Sequence, residues 1–142
     1  MKRRENLLRL RRFRAEELQR RAATLTAMQA DIHRKLADLE ESVARERQRA
    51  NDSDIGRLAF PSFLRAIDSR RENLKATLNE IDREHAQAEL ELSHAAEDLR
   101  NLEMAAEQEV RRAAETPLRK GQMRLGDLAL ARQLRKQAFR QV

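Results

Sequence analysis

The sequence predicts an all-α protein: a long antiparallel two-helix coiled-coil hairpin with a short helical extension at its C-terminus. Two matched heptad runs and a single strong break between them carry this prediction. Composition agrees, since 38% of the 142 residues are charged and 3% are aromatic, with three Gly and two Pro. Chains of long helices have this profile, whereas four Phe with no Trp or Tyr would make a poor compact core. By length the chain is one domain, residues 1–142.

Helix one is expected over about 5–51, a stretch free of Gly and Pro. One row of its seam reads Leu18, Leu25, Ile32, Leu39, and the complementary row reads Leu8, Ala15, Ala22, Gln29, Leu36, Val43, Ala50. Alternating steps of three and four place both rows on one narrow stripe, the a/d seam of a coiled coil. Leu7, Leu10 and Phe13 lie off that stripe, so the first turns are apolar on more than one side. A turn is expected over 52–60, because Asn51-Asp52-Ser53-Asp54-Ile55-Gly56 is rich in residues that compete with helical hydrogen bonds. Pro61 suits the first turn of a new helix.

Helix two is expected over about 61–115. Its rows are Phe60, Ile67, Leu74, Ile81, Ala88, Ala95, Leu102 and Leu64, Arg71, Leu78, His85, Leu92, Leu99, Ala106, Ala113. With Glu109, which ends the first row, 13 of these 16 positions are apolar. Laid antiparallel on helix one, facing residue numbers sum to about 110: Val43 meets Ile67, Leu36 meets Leu74, Ala22 meets Ala88. Arg71 falls beside Glu40 or Glu41, and Gln29 beside Ile81. Thr116-Pro117 predicts the start of a third helical piece within a basic segment, 116–142, that projects beyond the N-terminus or folds back.

Charge is unevenly spread. Residues 1–14 carry seven basic and one acidic side chain, residues 111–142 nine and two, and the middle 14 and 21, which together give the net +6. Both ends are therefore basic and the middle acidic. No apolar run approaches the roughly 18 residues of a membrane span. The start, MKRRENLLRLRRF, lacks the apolar core of a signal peptide and is expected to belong to the mature protein.

Little chemistry is legible. The absence of Cys excludes disulfides, thiolate metal sites and a cysteine nucleophile. Gly-rich phosphate loops and nucleophile elbows are missing, and Asp82-x-x-His85 and Glu91-x-x-His94 lie on one helix, unlike the ligand sets of four-helix metal bundles. His85 is expected to be a packing residue of the seam. The reading is a binding protein, not an enzyme, with no cofactor, metal or small-molecule substrate. A basic region feeding a leucine zipper would be an alternative, nucleic-acid-binding reading. Against it, the Asn-x-x-Ala-Ala core expected of base readers is missing, and the zipper row already has a partner of matching length in the same chain.

The basic first helix (LLRLRRFRAEELQRR), the central break, the phenylalanine-led second helix (AFPSFLRAIDSRRENL), the long heptad run and the basic tail (LGDLALARQLRKQ) together resemble the FliJ family. These are coiled-coil stalk proteins of the bacterial flagellar type III export apparatus, similar to the central stalk of rotary ATPases. The resemblance implies a monomeric hairpin in the cytoplasm, at the inner face of the membrane below the flagellum. It implies that the termini bind the hexameric export ATPase FliI and that the region near the turn binds the export gate FlhA, with export chaperones as further partners. Carried onto this chain by position, the ATPase-binding residues are Arg9, Arg11, Arg12, Phe13, Arg132, Arg135 and Lys136. The gate-binding residues are Phe63 and Ile67, in the Phe-x-x-x-Ile pattern. The aromatic residues that some members carry before the turn are missing, since the chain has no Tyr.

Overall fold

Apolar rows spaced for a coiled coil leave the backbone one economical answer. The computed structural model, which describes residues 2–140, consists of two helices, α1 (Lys2–Asp52) and α2 (Asp54–Arg140), packed antiparallel. Met1 and the last two residues of the predicted basic segment lie outside the described residues. α1 has 51 residues and α2 has 87, so α2 is about 130 Å long at 1.5 Å per residue.

The seam is built from the predicted rows. Ala22, Leu25, Ile32, Ile81 and Ala88 form one buried cluster, with Leu36, Leu74 and Leu78 packed against it. Leu39, Val43 and Ile67 form a second, nearer the turn, covered by Phe63, Leu64 and Leu74. Toward the termini the seam residues Leu8, Ala15, Leu99 and Leu102 are only half-buried, so the core thins away from the turn.

Polar side chains confirm the register. Arg71 Nη2 lies 2.7 Å from Glu40 Oε1. Gln29 Nε2 donates to Asp82 Oδ1 at 2.7 Å, one residue on from the expected Ile81. The Thr26 hydroxyl donates to the Ala22 carbonyl at 2.9 Å. Its oxygen is then left to accept from His85 Nε2, 3.0 Å away, so His85 is a half-buried residue of the seam. Each of these three cross-helix pairs has residue numbers summing to 111. Arg4–Glu109, Arg12–Glu103, Arg14–Glu91 and Arg21–Glu84 flank the thinner half, always with the cation on α1 and the carboxylate on α2. Exposed pairs of this kind contribute little singly, and their common polarity favours pairing α1 with α2 over pairing α1 with a second α1. Cysteines introduced at Ala22 and Ala88 of a dilute sample are expected to form a disulfide within one chain. Reducing and non-reducing mass spectrometry reads this directly.

Two predicted boundaries are corrected. The turn is not 52–60 but the single residue Ser53. Its N–H donates to the Arg49 carbonyl at 3.1 Å, closing α1, and its carbonyl accepts from Arg57 N–H at 3.1 Å, opening α2. Its hydroxyl oxygen also accepts from Gly56 N–H at 3.0 Å, which is N-capping. Ser53 thus ends one helix and caps the next without a loop between. Arg47 lies over the Phe60 ring, 6.0 Å from its centroid, covering the first turns of α2.

The second correction concerns 115–117. No third piece begins there, because α2 runs unbroken through Pro61, Pro117, Gly121 and Gly126 to Arg140. Pro117 withholds one helical donor, and that carbonyl belongs to Ala113, an exposed residue that water reaches. The Thr116 hydroxyl donates to the Arg112 carbonyl at 2.8 Å on the same turn. Every residue from Glu107 to Arg140 is exposed, so the tail projects as a solitary helix and does not fold back. Beyond Glu109, the last residue paired to α1, this overhang extends about 45 Å.

Candidate interaction surfaces at the two ends of the rod

Once the seam is closed, the apolar side chains left outside it are concentrated at the ends. Among the described residues, sixteen large hydrophobic ones are exposed. Twelve belong to the terminal end: Leu7, Leu10 and Phe13 on α1, Met104 and Val110 on α2, and seven more between Leu118 and Phe139. Ile55 and Leu58 sit at the hairpin tip, each 82% exposed, and only Met28 and Leu90 interrupt the middle. A rod that is polar along its length and apolar at both ends presents two separate surfaces.

The terminal surface is also the basic one. Arg9 and Arg11 are exposed and make no ion pair among the described residues, whereas Arg12 donates from Nε and Nη2 to Glu103 Oε1, both at 3.3 Å. Arg12 therefore ties α1 to α2, while Arg9, Arg11 and the half-exposed Phe13 remain available to a partner. On the overhang Arg132, Arg135 and Lys136 are all exposed and likewise unpaired among the described residues. Of the nine cations from Arg111 to Arg140, only Arg119 has an ion pair among the described residues, with Glu115 at 3.6 Å.

The seven predicted residues at this end do not make one patch. Arg132 lies 29 residues beyond Glu103, the partner of Arg12, or about 44 Å along the helix. The terminal surface thus has two parts: a two-helix base around Arg9, Arg11 and Phe13, and a one-helix spike bearing Arg132, Arg135 and Lys136.

The predicted gate-contact residues are placed differently from expectation. Ile67 is 4% exposed and packs with Leu39 and Val43, and Phe63 is half-buried against the same cluster. Ile67 is therefore a residue of the seam, while Phe63 packs against the seam and keeps part of its surface exposed. The apolar tip is Ile55 and Leu58, which the reading of 52–60 as a loop concealed. Their three-residue spacing off both seam rows was the available signal.

The acid–x–x–His spacings do not converge on a site. Asp82 faces Gln29, His85 faces Thr26, and Glu91 lies 3.9 Å from Arg14. Among the described residues no group of three His, Cys, Asp or Glu is disposed to hold a metal ion. The zipper-like alternative meets a physical obstacle, because Leu18, Leu25, Ile32 and Leu39 are buried in the hairpin. No described helix is long and apolar enough to cross a membrane. Comparison with protein-family models, with curated proteins and with solved structures returned no match.

Proposed function

We propose that this chain is a non-enzymatic stalk of the FliJ kind, coupling the export ATPase to the export gate of the flagellar type III apparatus. The observation that carries the reading is the chemistry of the terminal end. Twelve of the sixteen exposed large apolar side chains among the described residues lie there, together with Arg9, Arg11 and eight overhang cations that make no ion pair among the described residues. A ring with an acidic lumen would attract such an end at a distance, and Leu10, Phe13 and the overhang leucines would then bury apolar area inside it. The hexameric ATPase FliI is the partner this chemistry fits. At the opposite end, Ile55, Leu58 and the half-buried Phe63 are the side chains offered to the gate FlhA, with Ile67 kept to the seam. Export chaperones remain further partners on the resemblance alone. The protein would work at the inner face of the cell membrane, held there by its partners.

Activity of the export ATPase, measured with and without this protein across a range of salt, tests the reading. Stimulation that is strongest at low salt and fades as salt rises is the expected result. Activity unchanged by the protein at every salt concentration would overturn it.

A further inference from the structure

The two helices of the hairpin share one heptad frame. Leu18, Leu25, Ile32 and Leu39 of α1 and Ile67, Ile81 and Ala88 of α2 all stand whole multiples of seven residues apart. The other three buried residues, Ala22, Val43 and Ala50, form a second row that continues through Arg57 into Leu64, Arg71 and Leu78. The first row crosses the turn through Glu46, Ser53 and Phe60. A hairpin has no need of this continuity, since each helix can face its partner in a frame of its own. A single straight helix does need it.

Only Ser53 separates the two helices. Were it helical, the chain would carry one stripe in a single frame from Leu8 to Ala113, with Glu46, Ser53 and Arg57 polar at its centre and Arg11, Gln29, Arg71, His85 and Glu109 polar elsewhere along it. An antiparallel second copy, centred near residue 55, would meet that stripe with the same residue-number sums of about 110. Val43 would again face Ile67, Glu40 again Arg71, and Gln29 again Asp82, now between chains. Every seam contact is therefore available in trans at no cost in complementarity.

What holds the closed form is local to the turn. Ser53 Oγ accepts from Gly56 N–H at 3.0 Å, and Arg57 Nε donates to the Ala50 carbonyl at 3.4 Å. Gly56 is packed so closely that an added Cβ would stand 2.8 Å from the Arg49 carbonyl oxygen and 2.9 Å from Ser53 Oγ. Its backbone has no positive φ, so the requirement is for space alone. In a straight helix residues 49 and 56 are two turns apart, roughly 10 Å, and the crowding vanishes.

We propose that Ser53–Gly56 is an exchange hinge, at which two copies of this chain open and trade helices to form an antiparallel dimer over the same seam. The closed monomer dominates in dilute solution, because the second helix is tethered at high effective concentration. The dimer gains with protein concentration, and with any change that favours helix over turn. It would carry one basic overhang at each end, about 250 Å apart, where the closed rod spans about 130 Å.

The double variant Ser53→Ala, Gly56→Ala removes the cap and puts a Cβ where only the closed turn has no room, while alanine favours the straight helix. Sedimentation should show twice the 16.6 kDa chain mass, and small-angle scattering should show a maximum dimension near double that of the wild type. A helical variant that stays at one chain mass up to its solubility limit overturns the proposal. So does a dimer no longer than the closed rod. Should the variant fail to fold, the wild-type turn supplies the second test. Chains bearing Ala22→Cys and chains bearing Ala88→Cys are mixed, unfolded and refolded together at high concentration. Disulfides joining position 22 of one chain to 88 of another are expected, and their absence contradicts the exchange. Inserting Gly-Gly after Asp52 breaks the common frame but spares the hairpin, and should return the double variant to the monomer.

Discussion

Ending the chain after Val110 is expected to leave the melting of the hairpin nearly unchanged while removing the stimulation of the export ATPase that we propose. The two halves of that result have separate causes. Every residue from Glu107 to Arg140 is exposed, so the deletion subtracts no buried contact from either cluster of the seam. It does remove all nine cations beyond Val110, eight of them without an ion pair among the described residues, and the seven large apolar side chains exposed there among the described residues. Steering by a charged surface raises association rates by about 10- to 1000-fold, and the shortened chain should lose most of that gain, the loss being largest when measured at low salt. The base formed by Arg9, Arg11 and Phe13 would remain, so residual weak binding is consistent with the account. Circular dichroism on heating and ATPase assays on the same preparation separate stability from function.

Replacing Ile67 by alanine is expected to have the opposite profile. Its side chain is 4% exposed between Leu39 and Val43, and truncating a buried Ile costs about 2–5 kcal/mol. In a two-helix seam, with few other buried layers, the low end of that range would already move the unfolding midpoint substantially. Gate binding should fall only as far as folding does. Serine at Ile55 and Leu58, both 82% exposed, should instead leave the midpoint almost where it was, within about 0.5 kcal/mol, and weaken gate binding directly. Denaturant titration of the two variants beside a binding assay decides which residues form the tip surface. If the serine variant binds the gate normally and Ile67→Ala does not at full foldedness, the assignment to Ile55 and Leu58 is wrong.

The seam was legible in the sequence because its physics is periodic. Spacing alone identifies which side of each helix must be buried, and the residue-number sum of about 110 survives in the Arg71–Glu40, Gln29–Asp82 and Thr26–His85 pairs at 111. The turn was less legible. Asn51, Asp52, Ser53, Asp54 and Gly56 read as a loop by composition, yet Ser53 alone closes one helix and caps the other. Pro117 was misleading for a related reason, since a proline on an exposed helix loses one hydrogen bond that water replaces, and the helix goes on. The overhang followed from arithmetic, because α2 outlasts the seam that α1 can cover. The partner surfaces were the hardest to read. Phe63 and Ile67 came from a resemblance in pattern, and the exposure that distinguishes a binding residue from a core residue is a property of the folded pair. Arg12 illustrates the same point, for it looks like Arg9 and Arg11 until Glu103 is placed opposite it.

The central claim is that the seam is structural throughout and that binding belongs to the ends. Hydrogen exchange of this protein, compared free and bound to the export ATPase, tests it most directly. The account predicts new protection confined to residues 2–14 and 107–140, with the stretch between them exchanging as it does in the free rod. New protection centred on the middle of the rod, over residues 28–90, would contradict it.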